Sequence, residues 1–178
     1  MACLQILEYP DSRLRLKSRP VKLFDEDLAR LIDDLCETLR DSKGIGLAAP
    51  QTGDLRQVLV IDLTGGQQAP EIYVNPEILS KGSPALVEES CLSVPEVVGN
   101  LVRAIQVRVR ARDRWGAIFE RDLDGMSAVC LQHEMDHLVG KLFIDHLSFF
   151  QRLRIRLAAT SKQGFTLTES PRREDGKI

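Results

Sequence analysis

Apolar residues recur every three or four positions between residues 25 and 42, which places them on one side of a helix. The stripe consists of Leu28, Leu31, Ile32, Leu35, Cys36 and Leu39. Acidic residues gather at the start of the segment, where they interact favourably with the helix dipole. We therefore predict a first helix from about Asp25 to Ser42, and we interpret Cys36 as a small buried apolar residue of its stripe.

Five later segments have the character of strands. We predict them at residues 56–63, 71–74, 87–94, 105–112 and 118–123, with the second closed by Asn75-Pro76 and the third stopped by Pro95. The fourth alternates strictly, with Ile105, Val107, Val109 and Ala111 on one side and Gln106, Arg108, Arg110 and Arg112 on the other. We interpret this row of arginines as the solvent-exposed face of a sheet rather than as a phosphate-binding surface.

Two more helices follow the strands. The second has Asp124 as its predicted N-cap and ends near Gly140, and the third begins around Ser148. The third helix carries Phe149, Phe150, Leu153 and Leu157 on one side. The order predicts an α+β fold in which mainly antiparallel β-sheets surround the second helix, with an N-terminal and a C-terminal helix. We expect one domain over residues 1–165, with the C-terminal helix at about 148–162 and a polar, flexible tail at 166–178.

The composition excludes several classes of protein. The 178 residues are 43% hydrophobic and 28% charged, which is ordinary globular usage and not that of a disordered chain. The longest apolar runs, such as Val58–Ile61, are far shorter than the ~20 residues of a membrane span. No basic segment precedes the apolar start of the chain, so we expect a cytoplasmic protein. Four widely separated cysteines indicate buried or metal-binding thiols rather than disulfides.

The net charge of −2 does not by itself indicate a nucleic-acid or membrane partner. Its distribution is uneven, because seven Lys or Arg residues against three acidic residues follow residue 150. Arg152, Arg154 and Arg156 fall in the predicted third helix. We interpret them first as a solvated helix face.

The strongest chemical signal is the segment from His133 to His137, inside the second predicted helix. Two histidines four residues apart project from the same face of a helix, so both imidazoles can bind one metal ion. Glu134, next to the first histidine, can hold a water molecule at the metal and exchange protons with it.

A catalytic metal needs a third protein ligand. Four side chains remain candidates from the residues alone, and the spacing does not choose among them: Cys91, Cys130, Asp145 and His146. A thiolate ligand would favour iron(II), zinc, nickel or cobalt over magnesium or calcium.

Three segments together are more informative than any one of them. Gly44-Ile45-Gly46-Leu47-Ala48-Ala49-Pro50-Gln51, Glu89-Ser90-Cys91-Leu92-Ser93 and His133-Glu134-Met135-Asp136-His137 occur in the order of the three signature motifs of peptide deformylases. The sequence resembles that family from about Leu4 to Leu147. The first and third motifs match at every defining position, and the second departs because Ser90 replaces a glycine.

This resemblance implies a metal-dependent hydrolase that removes the formyl group from N-formylmethionine of newly made polypeptides and releases formate. The implied ligands of one divalent metal per chain are Cys91, His133 and His137, with Fe²⁺ favoured and Zn²⁺, Ni²⁺ or Co²⁺ possible. Water at the metal attacks the formyl carbon, while Glu134 acts as general base and then as general acid. The implied oxyanion donors are the Gln51 side chain and the main-chain N–H of Leu92.

The resemblance also implies how substrate is bound. Main-chain groups near Gly46 would position an extended peptide, because a side chain there would obstruct it. The implied methionine pocket consists of Ile45, Val87, Met126, Val129, Cys130 and His133. The expected partners are formylmethionyl peptides and nascent chains, with a possible ribosome contact through the basic C-terminal helix. We expect a monomer that binds neither DNA nor membranes.

Two residues depart from the family pattern and bear on catalytic efficiency. A pair of charged residues near the second motif is considered with them. Ser90 would be strained if the family's glycine has a dihedral angle that serine disfavours, at a cost of roughly 1 kcal/mol. Val98 stands where many relatives have arginine, which would weaken contacts with downstream residues of the substrate. Arg103 can pair with Glu89 behind the site or form an ordinary surface ion pair, and both interpretations stay open.

Two other functions remain alternatives at this point. A small metallopeptidase would use the same histidine motif, although Cys91 and Gln51 argue against it, because zinc proteases usually have a third nitrogen or oxygen ligand. A non-catalytic relative that binds nascent N-termini would fit Ser90, but the intact Glu134 argues against this alternative.

Overall fold

The computed structural model describes residues 2–161, so the predicted tail at 166–178 and the predicted end of the third helix lie outside the described residues. In chain order the helices and strands are α1 (Glu26–Ser42), β1 (Gly46–Ala48), β2 (Val58–Ile61), β3 (Glu71–Lys81), β4 (Pro84–Cys91), β5 (Val94–Ala104), β6 (Gln106–Arg112), β7 (Ile118–Asp124), α2 (Gly125–Leu138) and α3 (Phe149–Ser161).

The strands form two separate sheets. The larger has the order β1-β2-β3-β6-β7, and the smaller consists of β4 and β5. Every named pair of strands is antiparallel. Helix α2 contacts strands of both sheets, and α1 packs on β1 and β2. The predicted α+β class, with mainly antiparallel sheets around the second helix, is confirmed.

Helix α1 forms as its sequence pattern predicts. The Asp25 carboxylate accepts a hydrogen bond from the Leu28 N–H at 3.0 Å, so one of the free N–H groups at the helix start is satisfied. Leu28, Ile32 and Leu35 are buried in a cluster with residues of β1 and β2. Cys36 is half-buried at the edge of the same cluster, as a member of the stripe.

The prediction that the strand at 71–74 closes at Asn75-Pro76 is wrong. Strand β3 continues to Lys81, with an irregularity in its pairing to β6 between Val74 and Glu77. Asn75 has a left-handed φ of 51° there, and its side-chain amide exchanges two hydrogen bonds with the main chain of Val21. A proline can lie in such a bulge because no hydrogen bond of the ladder is required of it.

The predicted bounds of the strand at 87–94 are also wrong. It spans the last part of β4, a turn at Leu92-Ser93 and the start of β5, so the chain reverses within it. Pro95 does not end a strand. It lies in a bulge, because Cys91 pairs with Val94 whereas Ser90 pairs with Val98.

The alternation in β6 is confirmed, with Val107, Val109 and Ala111 buried between exposed neighbours. Helix α2 starts after Asp124, as predicted, although the Asp124 side chain makes no capping hydrogen bond. It ends just before Gly140, whose φ is 72° and where a Cβ atom would collide with the main chain of Arg15.

Helix α3 presents its predicted apolar side to solvent. Phe149, Phe150, Leu153 and Leu157 are exposed, and Ile155 is the side chain that packs into the core beneath the helix. Within residues 2–161, no helix combines the length and the apolarity that a bilayer crossing requires.

Candidate metal centre

Helix α2 brings the histidine motif to the centre of the molecule. His133 and His137 lie one turn apart on the helix, with their ring centroids separated by 5.1 Å. Both rings and Glu134 are buried. Placing three such polar side chains in the interior is unfavourable unless each finds a partner, so their surroundings decide what the site can do.

The third member of the group is Cys91, at the end of β4. Its Sγ lies 3.3 Å from Nε2 of His137. One ligand atom each from Cys91, His133 and His137 lies within 4.8 Å of the other two. The sequence alone left four candidates for the third ligand position. The other three side chains have other partners: Asp145 pairs with Arg15, His146 pairs with Asp136, and Cys130 Sγ contacts the carbonyl oxygen of Ile45.

Two observations indicate that these residues can bind a divalent metal. One is the chemical type of their donor atoms, and the other is a buried oxygen of Glu134 that lacks a hydrogen-bond partner in the part of the chain that the structure describes. Two imidazole nitrogens and a thiolate are the ligands that zinc, iron and related metals prefer. Oε2 of Glu134 is buried and has no hydrogen-bond partner among the described residues. A water molecule held at a metal would give this buried carboxylate oxygen a hydrogen-bond partner. Burial also lowers the pKa of His137 well below its usual value, which favours the neutral ring that binds a metal.

Glu134 is almost completely buried. Burial is the largest effect on this carboxyl group and raises its pKa to about 7. A carboxyl group with that pKa can both accept and release a proton near neutral pH. The position of Glu134 depends on Gly46, because a Cβ atom there would lie 2.5 Å from Oε1 of Glu134 and 2.7 Å from Sγ of Cys130. Glycine at position 46 therefore makes room for the glutamate itself.

The amide of Gln51 is oriented by its neighbours. Its Oε1 accepts a hydrogen bond from the main-chain N–H of Ala48 at 2.8 Å. Its Nε2 donates to Oγ of Ser93 at 3.2 Å and points toward Sγ of Cys91 at 3.8 Å. The acceptor side is thus occupied, and the N–H groups face the metal ligand. Leu92, the other predicted donor, lies on the wall of the same cavity.

Behind the histidines lies a chain of polar and charged side chains that runs from the buried site toward the surface. Nδ1 of His133 is 2.7 Å from the Glu89 carboxylate, which Arg103 also binds. Arg103 reaches Asp136 at 2.7 Å, and Asp136 in turn binds Nε2 of His146 at 2.8 Å. The pair of Arg103 and Glu89 is therefore buried behind the site and is not a surface ion pair. A proton on Nδ1 of His133 donates to Glu89, which leaves Nε2 free for the metal.

The pKa values of this chain follow from its pairing. Burial would raise the pKa of Glu89, but hydrogen bonds from His133 and Arg103 outweigh it and lower that pKa to about 2. Burial also opposes a charge on His133, whereas its hydrogen bonds to Cys91 and Glu89 raise its pKa. Glu89 is consequently a fixed negative charge that orients the ring.

A cavity of about 490 Å³ opens onto these residues. Most of the predicted pocket residues lie on its wall, namely Ile45, Gly46, Met126, Val129, Cys130 and His133. Val87 does not line the cavity and is half-buried elsewhere on β4. Five other residues that line the cavity were not predicted as site residues: Glu88, Val94, Pro95, Glu96 and Val97.

Ser90 and Val98, the two residues that depart from the family pattern, lie on neighbouring strands beside the cavity. Ser90 does not have a positive φ, because the non-glycine residues with that geometry among those described are Lys43, Asn75 and Glu96. The strain expected at Ser90 is therefore absent, and its side chain is exposed. Val98 is the cross-strand partner of Ser90, and both line the cavity.

Two residues of the hydrogen-bond network around the site were also missed by sequence reasoning. Ser93, which accepts from Gln51, and Asp136, which joins Arg103 to His146, both lie inside the motifs that were singled out. The available signal was their polar character within those motifs.

Sequence comparisons find similar proteins over most of the chain. A family model described as polypeptide deformylase matches residues 3–153. A curated peptide deformylase of Alkalilimnicola ehrlichii is 49% identical over 157 residues, which is 88% of each chain.

Solved structures give the same result. A peptide deformylase from Legionella pneumophila superposes with a TM-score of 0.86 at 45% identity and covers 90% of this chain and 95% of its own. A peptide deformylase from Synechococcus elongatus, solved in complex with actinonin, has a TM-score of 0.83 at 36% identity, with 94% and 91% covered.

Proposed function

The chain belongs to the peptide deformylase family, and we propose that Cys91, His133, His137 and Glu134 form its catalytic centre. It is an enzyme that removes the formyl group from N-formylmethionine at the start of new polypeptides. The metallopeptidase and the non-catalytic relative are not favoured. The observation that carries our proposal is the convergence of Cys91, His133 and His137 beside Glu134.

Cys91, His133 and His137 would hold one divalent metal. When bound, such an ion lowers the pKa of a water molecule, so that attack on an amide is possible near neutral pH. A thiolate with two imidazoles suits iron(II), zinc, nickel and cobalt. We propose Fe²⁺ as the metal in the cell, by analogy with the family.

Glu134 would move the protons of the reaction. Its carboxylate accepts a proton from the attacking water and delivers it to the amine that leaves when the formyl carbon–nitrogen bond breaks. Burial raises its pKa to about 7, which matches both tasks.

Gln51 and Leu92 would stabilise the negative charge on the formyl oxygen. The Gln51 amide donates through Nε2, because its oxygen is already engaged by Ala48. The main-chain N–H of Leu92 lies next to the metal ligand and can be the second donor. Losing one such donor lowers the rate by about 10²–10³.

The peptide would lie between two strand edges that are unpaired among the described residues. Strand β1 pairs with β2 and strand β4 with β5, and residues 44–46 and 88–91 both line the cavity. An extended peptide can add main-chain hydrogen bonds to such edges. The methionine side chain would enter the part of the cavity lined by Ile45, Met126, Val129 and Cys130.

We further propose a contact with the ribosome through the basic C-terminal helix. The exposed residues Arg152, Arg154 and Arg156 of α3 suit the phosphates of ribosomal RNA, where nascent chains emerge. We also propose that the protein acts in the cytoplasm as a monomer and that residues 1–165 form one catalytic domain.

Anaerobic turnover of formyl-Met-Ala-Ser, with metal content measured on the same sample, tests these assignments. Turnover should scale with bound metal. Glu134→Ala should keep the metal and lose about 10²–10⁴-fold in kcat, because general acid–base catalysis contributes that much. The matched control is Glu77→Ala, an exposed glutamate on β3. Full turnover by Glu134→Ala would contradict the assignment of the base, and a Cys91→Ala variant with full metal occupancy would contradict that of the third ligand.

A further inference from the structure

Two large apolar side chains lie side by side on the exposed face of the small sheet. Leu86 on β4 and Val102 on β5 are directly paired across the strands, and they are 71% and 63% exposed. Neither belongs to any of the three buried apolar clusters. Single exposed apolar residues are ordinary, but a cross-strand pair forms a continuous apolar surface that a ligand can cover. We call this pair the Leu86–Val102 patch.

The exposed face of the sheet that carries the patch also carries residues that line the active-site cavity. Side chains two residues apart on a strand share a face, so Leu86, Glu88 and Ser90 point the same way. Glu88 and Ser90 line the cavity, as does Val98, the cross-strand partner of Ser90. The face is therefore continuous from the cavity to the patch.

The metal ligands set the direction in which a substrate runs along this face. The formyl group must lie at Cys91, the last residue of β4, so the rest of the polypeptide leaves toward Leu86. Such a chain is antiparallel to β4, and among the described residues β4 pairs with β5 alone. Ser90 and Leu86 are four residues apart, about 13 Å along an extended strand, so the fifth residue of the substrate would lie beside Leu86.

We propose that the Leu86–Val102 patch is a binding subsite for an apolar side chain at about the fifth residue of the formylated polypeptide. The proposal rests on the proposed function, because the deformylase reaction fixes where the peptide begins. Glu88, an exposed residue of the cavity wall two positions from Leu86, would repel an acidic residue of the substrate nearby. The subsite thus favours apolar over acidic downstream residues.

The experiment compares formyl-Met-Ala-Ser-Ala-Xaa-Ala hexapeptides, with Xaa as Leu, Ser or Glu, against formyl-Met-Ala-Ser. For the wild-type protein, kcat/KM for the Leu peptide should exceed that for the Ser peptide by about fivefold, as expected for partial burial of one apolar side chain. The double variant Leu86→Ser/Val102→Ser should reduce this ratio to near one. The matched control Leu23→Ser removes another exposed leucine, 73% exposed and outside the cavity, and should keep the ratio.

Each outcome separates the subsite from the reaction itself. Equal kcat/KM for all three hexapeptides, with normal turnover of the tripeptide, would overturn the subsite and leave the proposed function intact. If no peptide is deformylated, the proposed function fails, and calorimetric binding of the hexapeptides to the metal-loaded Glu134→Gln variant tests the patch instead. A wild-type dimer that becomes a monomer in the double variant would show that a second copy covers the patch, which also overturns the proposal.

Discussion

Arginine–carboxylate ion pairs occur in two regions of this protein that differ in their exposure to solvent. On the outer face of β6, Arg108 and Arg110 bind Glu120 at 3.0 Å and 2.8 Å, and about half of each arginine side chain is exposed. Behind the metal centre, Arg103 binds Glu89 at 2.7 Å, with 6% and 4% of the side chains exposed. The distances are nearly the same, whereas the surroundings are opposite.

The difference shows that burial, not geometry, decides what an ion pair does. In water, the attraction between exposed charges is screened and largely offset by hydration, so the β6 pairs contribute little to stability. In the interior, neither partner can be hydrated if the other is removed. The Arg103–Glu89 pair therefore has to be kept complete, and through His133 it sets the orientation of a metal ligand.

The largest effect is expected from Arg103→Ala. This change leaves Glu89 and Asp136 without their common cation, and breaking a buried pair on one side costs about 3–5 kcal/mol. Urea denaturation should show a loss of that size in the free energy of unfolding. Arg110→Ala is the matched control on β6 and should leave the unfolding midpoint unchanged. Equal losses of unfolding free energy in the two variants would show that burial does not determine what these ion pairs contribute.

A smaller effect is expected on metal affinity from Glu89→Gln, which keeps the size of the side chain and removes its charge. Loss of a partner that orients a histidine ligand typically weakens metal binding by about 10–100-fold. Competition with a chelator measures this affinity directly. Glu120→Gln, the same change on the exposed face, should bind metal like the wild type. Unchanged affinity in Glu89→Gln would mean that the pair is structural only.

A third effect concerns acid stability of the metal-free protein. The pKa of Glu89 is lowered from 4.5 to about 2 by His133 and Arg103, against the opposing effect of burial. Because the folded pKa lies below the ordinary one, this stabilisation is complete above pH 4.5 and is lost as the pH falls toward 2. The difference in unfolding free energy between wild type and Glu89→Gln should shrink over that interval. A difference that stays constant with pH would show that Glu89 does not titrate as the ion pair requires.

Local patterns in the sequence determined much of the fold. The stripe of α1, the alternation in β6 and the ends of α2 were predictable, because helix and strand periodicity and helix caps depend on residues close together in the chain. For the same reason, His133, Glu134 and His137 could be placed together on one helix. The resemblance to a family then supplied the activity, which periodicity alone cannot provide.

Other features were decided only by the tertiary structure. The bulges at Asn75 and Pro95 depend on partner strands, so the breaks expected from local sequence were wrong. The burial of Arg103 depends on residues 14 and 33 positions away. From spacing alone Cys130, one turn before His133, was as good a ligand as Cys91, 42 residues earlier. Periodicity describes neighbours along one element, whereas a ligand set and the hydration of a charge depend on which distant elements pack against it.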